Sequence, residues 1–483
     1  MRLVVYDRLG RTPFPRFNEK FLCRLGASLD DDGNLGAEAM DCAVHAIERF
    51  AAIAATMRVR SIDLLATEAT RNAPNGAAFR ERLQAASGLP VRVLTGDDEA
   101  RLAATGVIAG FHEPDGLVGD LGGGSLEIAA VRERRVGEHR TSMPLGALYI
   151  SERMAHESLK QTRRYVDEVL QRELPGTVPG GNFYVVGGGW RVLAKVHLAN
   201  HRRLVPVIHG LVLDPGTVRK RAGSLSRMSG EEPGEVDGVP GRRVPTVPAA
   251  ALVLDRVLRH LQPERVLFSG LGVREGWLYE QLSDEERAED PLLAGCRRLA
   301  ADTACAPAFA AALERWTATL FIGESVAQRR LRIAATTLSD IVWREHKDVQ
   351  ARHAYERILR FPLVGLTHAE RVFLATSMHS RYGGKPAGLD AVKLLDDAEA
   401  SRAHVLGTAI LLAHRFSGGV PAILDSARIR LAADTVTLEV DDAARLPGRA
   451  VRKRLKRLAK ALGRDGTALT VRDRPATPGD PCR

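Results

Sequence analysis

The segment Val118 to Glu127, VGDLGGGSLE, constrains this chain more than any other: an apolar run, an acid, three consecutive glycines and a hydroxyl. The apolar run reads as a buried strand that ends where the glycines begin. Glycine has no Cβ, so successive backbone N–H groups can turn towards an anion and form a nest for it. Gly122, Gly123, Gly124 and Ser125 are therefore candidate phosphate ligands, with a plain glycine-rich hairpin turn as the competing reading. Asp120, at the strand end, is placed to hold a hydrated divalent cation that bridges phosphate oxygens.

A second triplet, Gly187, Gly188 and Gly189, closes the apolar run NFYVV and precedes the helical WRVLAKVHL. Two strand-end nests can face each other across a cleft and hold a phosphate chain, so Gly188 and Gly189 join the candidate phosphate ligands. A lone triplet would read equally well as close packing, and its value lies in the pairing.

Three charged residues complete the constellation. Glu99, in LTGDDEARLAATGV, opens the helical stretch that precedes the phosphate strand, where a carboxylate can orient an attacking water. Its neighbours Asp97 and Asp98 read better as acids offsetting the helix dipole. Glu127 falls on the same side of its strand as Ser125 by period-two alternation, where it can support catalysis, with an ordinary exposed strand carboxylate as the alternative. Arg71, in the polar loop of ATEATRNAPNG, is a guanidinium able to grip phosphate oxygens, a surface ion pair being the other reading.

Along the 483 residues, α/β alternation interrupted by β-hairpins runs to about residue 283. That rhythm suits duplicated ribonuclease-H-like units better than a plain doubly wound sheet. From Asp284 strand signals give way to Ala-, Leu- and Arg-rich helical patterns as far as Ser417. A short β segment, ARIRLAADTVTLEV, a basic helix and a Pro/Gly-rich, frayed end follow. The expected domains are 1–112, 113–283 and 284–483.

Ordinary globular composition, 45% hydrophobic and 27% charged, argues against disorder. No run approaches the roughly 18 apolar residues of a membrane span, and the start lacks a signal peptide, so a cytoplasmic protein without a membrane partner is expected. Five scattered cysteines without a CxxC pair read as free thiols. The net charge of +10 suits a polyanionic partner, but much of the excess is local: Arg449 to Arg464 carries eight basic residues and no acidic one. Leu455, Leu458 and Leu462 share one face there, so a docked amphipathic helix is the simpler reading and nucleic acid is not the expected partner.

The blocks RLVVYD, FNEKFLCRLG, ATEATRNAPNG, TGDDEARLAATGV, VGDLGGGSLEIA, MPLGA, VVGGGWRVLA, IHGLVL and FSGLGVREG, from Arg2 to Gly276, together resemble the exopolyphosphatase/guanosine pentaphosphate phosphatase family. The resemblance implies two actin-like lobes (the ASKHA fold) and a mainly helical C-terminal domain resembling a degenerate HD domain. It implies release of terminal orthophosphate from inorganic polyphosphate or guanosine pentaphosphate, with Mg2+, or Mn2+ in its place, and a monovalent cation such as K+. By motif match Glu99 is the catalytic base, Asp120 the metal ligand, Gly122 to Ser125 the phosphate loop, Glu127 a supporting catalytic residue and Arg71 a phosphate contact. A homodimer is implied as well.

Three departures accompany it. The family's first strand and a loop resembling DIGSNS precede the RLVVYD block, which here follows Met1. A start codon placed too far downstream is preferred to a true truncation; the latter would give a catalytically impaired polyphosphate- or nucleotide-binding regulatory protein with an exposed sheet edge. Trp190 stands where a small hydroxyl residue is common, although GGxWR variants resemble a subgroup. Ser339 stands where a metal-binding His of an HD domain would, so Asp340 is expected to hold no metal.

Overall fold

Both glycine-terminated apolar runs enter one six-stranded sheet as adjacent parallel strands. In the computed structural model, which describes residues 1–23, 25–27, 32–174, 176, 181–201, 204–301, 307–441 and 448–471, the strands of the first unit are β1 (Arg2–Tyr6), β2 (Pro15–Lys20), β3 (Leu64–Ala66), β4 (Val91–Val93), β5 (Gly116–Leu121), β6 (Leu126–Arg132), β7 (Arg135–Met143), β8 (Asn182–Val186), β9 (Leu211–Leu213) and β10 (Arg265–Phe268). The large sheet has the order β7-β6-β5-β8-β10-β9. β5, β8 and β10 run parallel, and β6, β7 and β9 are antiparallel to their neighbours. This is the mixed sheet of an actin-like fold. The chain divides into two compact units, residues 1–203 with 208–291, and 204–207 with 292–483.

Period-two alternation gives the large sheet two apolar faces. Leu117, Leu121, Leu126, Ile128, Phe183 and Val185 pack with helices that include Leu159–Glu173 and Val247–Leu261. Val118, Ala129, Val131, Tyr184 and Val186 point the other way, onto helix Gly96–Gly110. Sequence boundaries assigned that helix to the first lobe, yet it packs along β5, β6 and β7. A smaller core formed by Phe50, Phe79, Leu83 and Val91 underlies β1 to β4. There β1 pairs with β2 and β3 with β4, as two separate two-stranded sheets among the described residues.

Helix Gly96–Gly110 also crosses helix Val273–Glu280 at very short range. The approach is possible because glycines stand at the crossing. A Cβ on Gly106 would come 2.3 Å from the Gly272 carbonyl oxygen, and one on Gly276 would come 1.9 Å from that of Leu102. Arg71, expected in a loop, sits instead in the short helix Glu68–Asn72 that follows β3.

The second unit is mainly helical, with a three-stranded sheet of β11 (Ala427–Leu431), β12 (Thr435–Val440) and β13 (Gly466–Val471). β13 falls in the stretch read as a frayed end; it lies parallel to β12 because helix Arg449–Ala461 returns the chain to the start of that strand. This helix buries Val451, Leu455, Leu458 and Ala459, exposes Arg452, Lys453, Lys456 and Lys460, and turns Arg457 onto the Gly383 and Gly384 carbonyls. Asp340 lies 3.2 Å from the Arg381 guanidinium. His414 is 3.7 Å from Asp340, but burial and Arg381 hold its pKa well below the usual histidine value, so the contact is not an ion pair. Cys23, Cys42 and Cys296 are free thiols, and Cys305 and Cys482 lie outside the described residues. No helix among the described residues is long and apolar enough to cross a membrane.

The glycine crossing yields a test. Gly276→Ala should destabilise the protein by about 1–3 kcal/mol, the usual cost of overpacking, read as a lower urea midpoint. Gly176→Ala, where an added methyl group meets nothing within 4 Å, should stay within about 0.5 kcal/mol of wild type. Equal midpoints for the two variants would contradict the tight crossing.

Candidate functional site

The loop Gly122 to Ser125 turns β5 into β6, closed by a 2.9 Å bond from Gly122 N–H to the Ser125 carbonyl. Its carbonyls are fixed from behind. The N–H groups of Gly146, Ala147 and Leu148, at the start of helix Ala147–His156, donate to the carbonyls of Gly124, Gly122 and Gly123 at 2.9, 3.1 and 2.7 Å. Gly146 permits this approach, since a Cβ there would fall 2.2 Å from the Gly124 carbonyl carbon. That is the local reason for the MPLGA block.

Because β5 and β8 are parallel neighbours, with Asp120 opposite Val186, the two glycine loops leave the sheet side by side. They do not face each other from opposite sides of a cleft, which corrects the expectation from sequence. Gly187 has φ +100°, and a Cβ on it would come 2.5 Å from the Leu121 carbonyl oxygen and 2.9 Å from Asp120 Oδ1. Gly188 lies under Arg243, whereas Gly189 is buried and faces Ala250 and Leu121, so core packing accounts for it. Trp190 is fully buried, donates its indole N–H to the Ala250 carbonyl at 2.9 Å and meets Phe183 edge-on. The departure at this position serves the core.

Strand register sets out the acids. Asp120 stands opposite Glu127 on β6, and Glu127 opposite Ser142 on β7, so the three form a row on the face that receives helix Gly96–Gly110. Ser142 Oγ donates to Glu127 Oε1 at 2.9 Å. A Cβ on Gly96 would come 2.6 Å from that of Ser142, so the helix starts directly over the row. Thr95 and Asp98 cap the helix reciprocally, and Asp97 pairs with Arg140 at 2.6 Å. Those two acids are structural, and Glu99 is left to face the site.

Glu99 Oε1 accepts a 2.9 Å bond from Arg71 Nη1, whose guanidinium also donates to the Leu94 carbonyl. Both bonds come from Nη1, so Arg71 positions Glu99 with one nitrogen of its guanidinium. Burial raises the Glu99 pKa; Arg71 opposes the rise, and Asp120 and Glu68 add to it. Burial pushes Asp120 up to about 6, against the attraction of Arg191 and Arg274. Glu127, 3% exposed, is pushed up to about 8, first by burial and then by Asp120 and Glu99, while the hydroxyls of Ser125 and Ser142 pull it down. Like charges on facing strand positions repel, so near neutral pH the row holds a proton on Glu127.

Several residues at the site carried no readable signal. Glu68 lies against Gly124; burial raises its pKa, and Arg71 and then the Gly124 backbone N–H oppose the rise. A cavity of about 730 Å³ runs from the loop past Arg191, Arg242, Arg243, Arg274 and Lys20. Lys20 and Lys195 have lowered pKa values, by burial first and then by repulsion from Arg242 and Arg243. None of Lys20, Lys195, Arg242 and Arg243 forms an ion pair among the described residues. Glu275 accepts a 2.6 Å bond from the Tyr6 hydroxyl, tying β1 to the far rim.

The chain matches the Ppx/GppA phosphatase family over residues 4–285 and the exopolyphosphatase C-terminal family over residues 292–469. It is 28% identical over 295 residues to Exopolyphosphatase 1 of Mycobacterium tuberculosis, covering 59% of this chain and 85% of that protein. Retrograde regulation protein 2 of Saccharomyces cerevisiae is 27% identical over 355 residues, or 67% of this chain and 59% of its own. Among solved structures, the Aquifex aeolicus Ppx/GppA family member superposes with a TM-score of 0.51 at 24% identity, over 58% of this chain and 95% of its own.

The row of acids predicts a pH effect on stability. A carboxyl at about 8 in the folded chain and about 4.3 in the unfolded one binds its proton more tightly when folded. Its stabilisation is complete below about pH 4.3 and is lost as pH rises through about 8. Glu127→Gln, which fixes the neutral form, should therefore flatten the fall in unfolding free energy between pH 5 and 9 in urea titrations. Parallel curves for variant and wild type would contradict the assignment.

Proposed function

The chain belongs to the Ppx/GppA phosphatase family, and from that premise we propose that it is a cytoplasmic exopolyphosphatase that releases terminal orthophosphate from inorganic polyphosphate. The observation that carries this reading is the convergence, at one end of the sheet, of the Gly122 to Ser125 loop, Asp120 and an Arg71-oriented Glu99. The N–H groups of Gly123, Gly124 and Ser125 bind the terminal phosphate, that of Gly122 being bonded to the Ser125 carbonyl. Glu99 orients the attacking water and takes its proton, and its raised pKa strengthens it as a base. Arg71 acts through Glu99, holding the carboxylate in place and ionised, and Glu127 supports the row beneath as a neutral acid.

The donor set suits a hard divalent cation. No group of three or more acidic, histidine or cysteine side chains forms a metal cage among the described residues. That fits magnesium, which binds through one or two carboxylates and takes its other ligands from phosphate and water. Asp120 would hold the ion, and when bound it supplies positive charge to the phosphate oxygens. Manganese would serve the same site.

A chain substrate is favoured over a nucleotide by the unpaired cations. Lys20, Arg242 and Arg243 continue the line of positive charge away from the loop, and phosphate after phosphate can neutralise it. Guanosine pentaphosphate remains the second substrate in this reading, entering by its phosphate end. A regulatory protein without turnover is the alternative, favoured by the relative named Retrograde regulation protein 2.

Phosphate release from polyphosphate with magnesium is the deciding measurement. Glu99→Gln should lower kcat by about 10²–10⁴-fold with little change in KM, and equal rates would overturn the catalytic reading. Binding of polyphosphate by wild type without any release would favour the regulatory one. Lys20→Ala combined with Arg242→Ala should raise KM for long chains about tenfold, the loss of roughly one charge-assisted contact, and leave tripolyphosphate nearly unchanged. Equal effects on both lengths would remove the argument for a chain track.

A further inference from the structure

Glu68 occupies a position that the chemistry above does not use. It opens the short helix Glu68–Asn72 directly after β3, and the preceding Thr67 lines the cavity. Its carboxylate lies where a side chain on Gly124 would be: a Cβ there would come 2.1 Å from Oε2 and 2.3 Å from Oε1. The backbone N–H of Gly124 faces the same group. An anion of this chain thus sits against the phosphate loop.

The loop cannot turn away from it, because its three glycine carbonyls are bonded to the N–H groups of Gly146, Ala147 and Leu148. Relief must come from the glutamate, whose flexible side chain can swing aside at small cost. Nothing in the charge balance ties Glu68 down firmly: Arg71 attracts it but is bonded to Glu99, and Glu68 and Glu99 repel each other.

We propose that Glu68 is a specificity-determining residue: its carboxylate competes with phosphate oxygens for the N–H groups of the Gly122 to Ser125 loop, so that a phosphate chain anchored along the cleft displaces it and a single orthophosphate does not. The proposal rests on the reading of this loop as a phosphate site. A chain brings further contacts to Arg191, Arg242 and Arg243, which offset the loss of the Glu68 contact. Orthophosphate has only the loop, and it must also enter beside a carboxylate of like charge. The consequence is selective release of the product after each hydrolytic step.

The test uses the full chain, with Glu68→Gln to remove the charge and Glu68→Ala to remove the side chain. The readouts are the inhibition constant of orthophosphate against polyphosphate hydrolysis, and KM for long-chain polyphosphate. Both variants should bind orthophosphate about tenfold more tightly, as expected for removal of one competing charged contact, and KM for the long chain should fall with it, because the chain displaces the same carboxylate. Unchanged or weaker orthophosphate inhibition in both variants, with wild-type hydrolysis intact, would overturn the proposal alone. Loss of the fold in both would also overturn it, since a displaceable contact cannot be essential to folding. A wild-type protein that neither hydrolyses polyphosphate nor binds orthophosphate would overturn the phosphate-site reading, and the proposal with it.

Discussion

The close seating of helix Gly96–Gly110 against the large sheet and helix Val273–Glu280 is the contact on which the rest of the site depends. Three glycines make it possible: Gly96 over Ser142, Gly106 over Gly272, and Gly276 over Leu102. With a methyl group at any of these points the helix would have to lift, because the opposing atoms are backbone or a short side chain. Lifting would carry Glu99 away from Asp120 and Glu127, and would separate Arg71 from its carboxylate. The glycines of the crossing therefore matter to the chemistry as much as those of the phosphate loop.

Seating an acid over two other acids creates a charge problem that the surroundings resolve unequally. Asp120 has Arg191 and Arg274 near it, Glu99 has Arg71, and Glu127 has only hydroxyls. The residue without a cation is the one that holds a proton most strongly. Three carboxyls of similar intrinsic acidity are thereby sorted into different roles by their neighbours. Glu68 adds a further carboxylate against Gly124 of the loop.

In the second unit, hydrophobic burial and charge have separated cleanly on one helix. Leu455 and Leu458 are buried and Leu462 is packed at the margin, while Arg452, Lys453, Lys456 and Lys460 are exposed and Arg457 bonds to the Gly383 and Gly384 carbonyls. The apolar face needs nothing beyond the fold it rests on. Asp340 likewise has a charged partner within the protein, the Arg381 guanidinium at 3.2 Å.

Local features were legible in the sequence because short-range physics fixes them. The strand ends at Asp120 and Val186, the helix beginning near Glu99, the structural place of Asp97 and Asp98 in its first turn, and the apolar face of the basic helix all follow from composition and period. Arg71 was legible as a functional cation but not as the partner of Glu99, since a separation of 28 positions along the chain carries no information about their meeting. Strand order was equally hidden: two glycine loops that could have faced each other lie side by side, because β5 and β8 pair in parallel. The row of Asp120, Glu127 and Ser142, the cations about Arg243 and the approach of Glu68 to Gly124 were likewise decided by the packing of distant segments. The sequence by itself determined which residues could bind phosphate and move a proton. Only the tertiary structure decided which of them meet, because helix crossings and sheet register are set by long-range contacts that spacing along the chain does not encode.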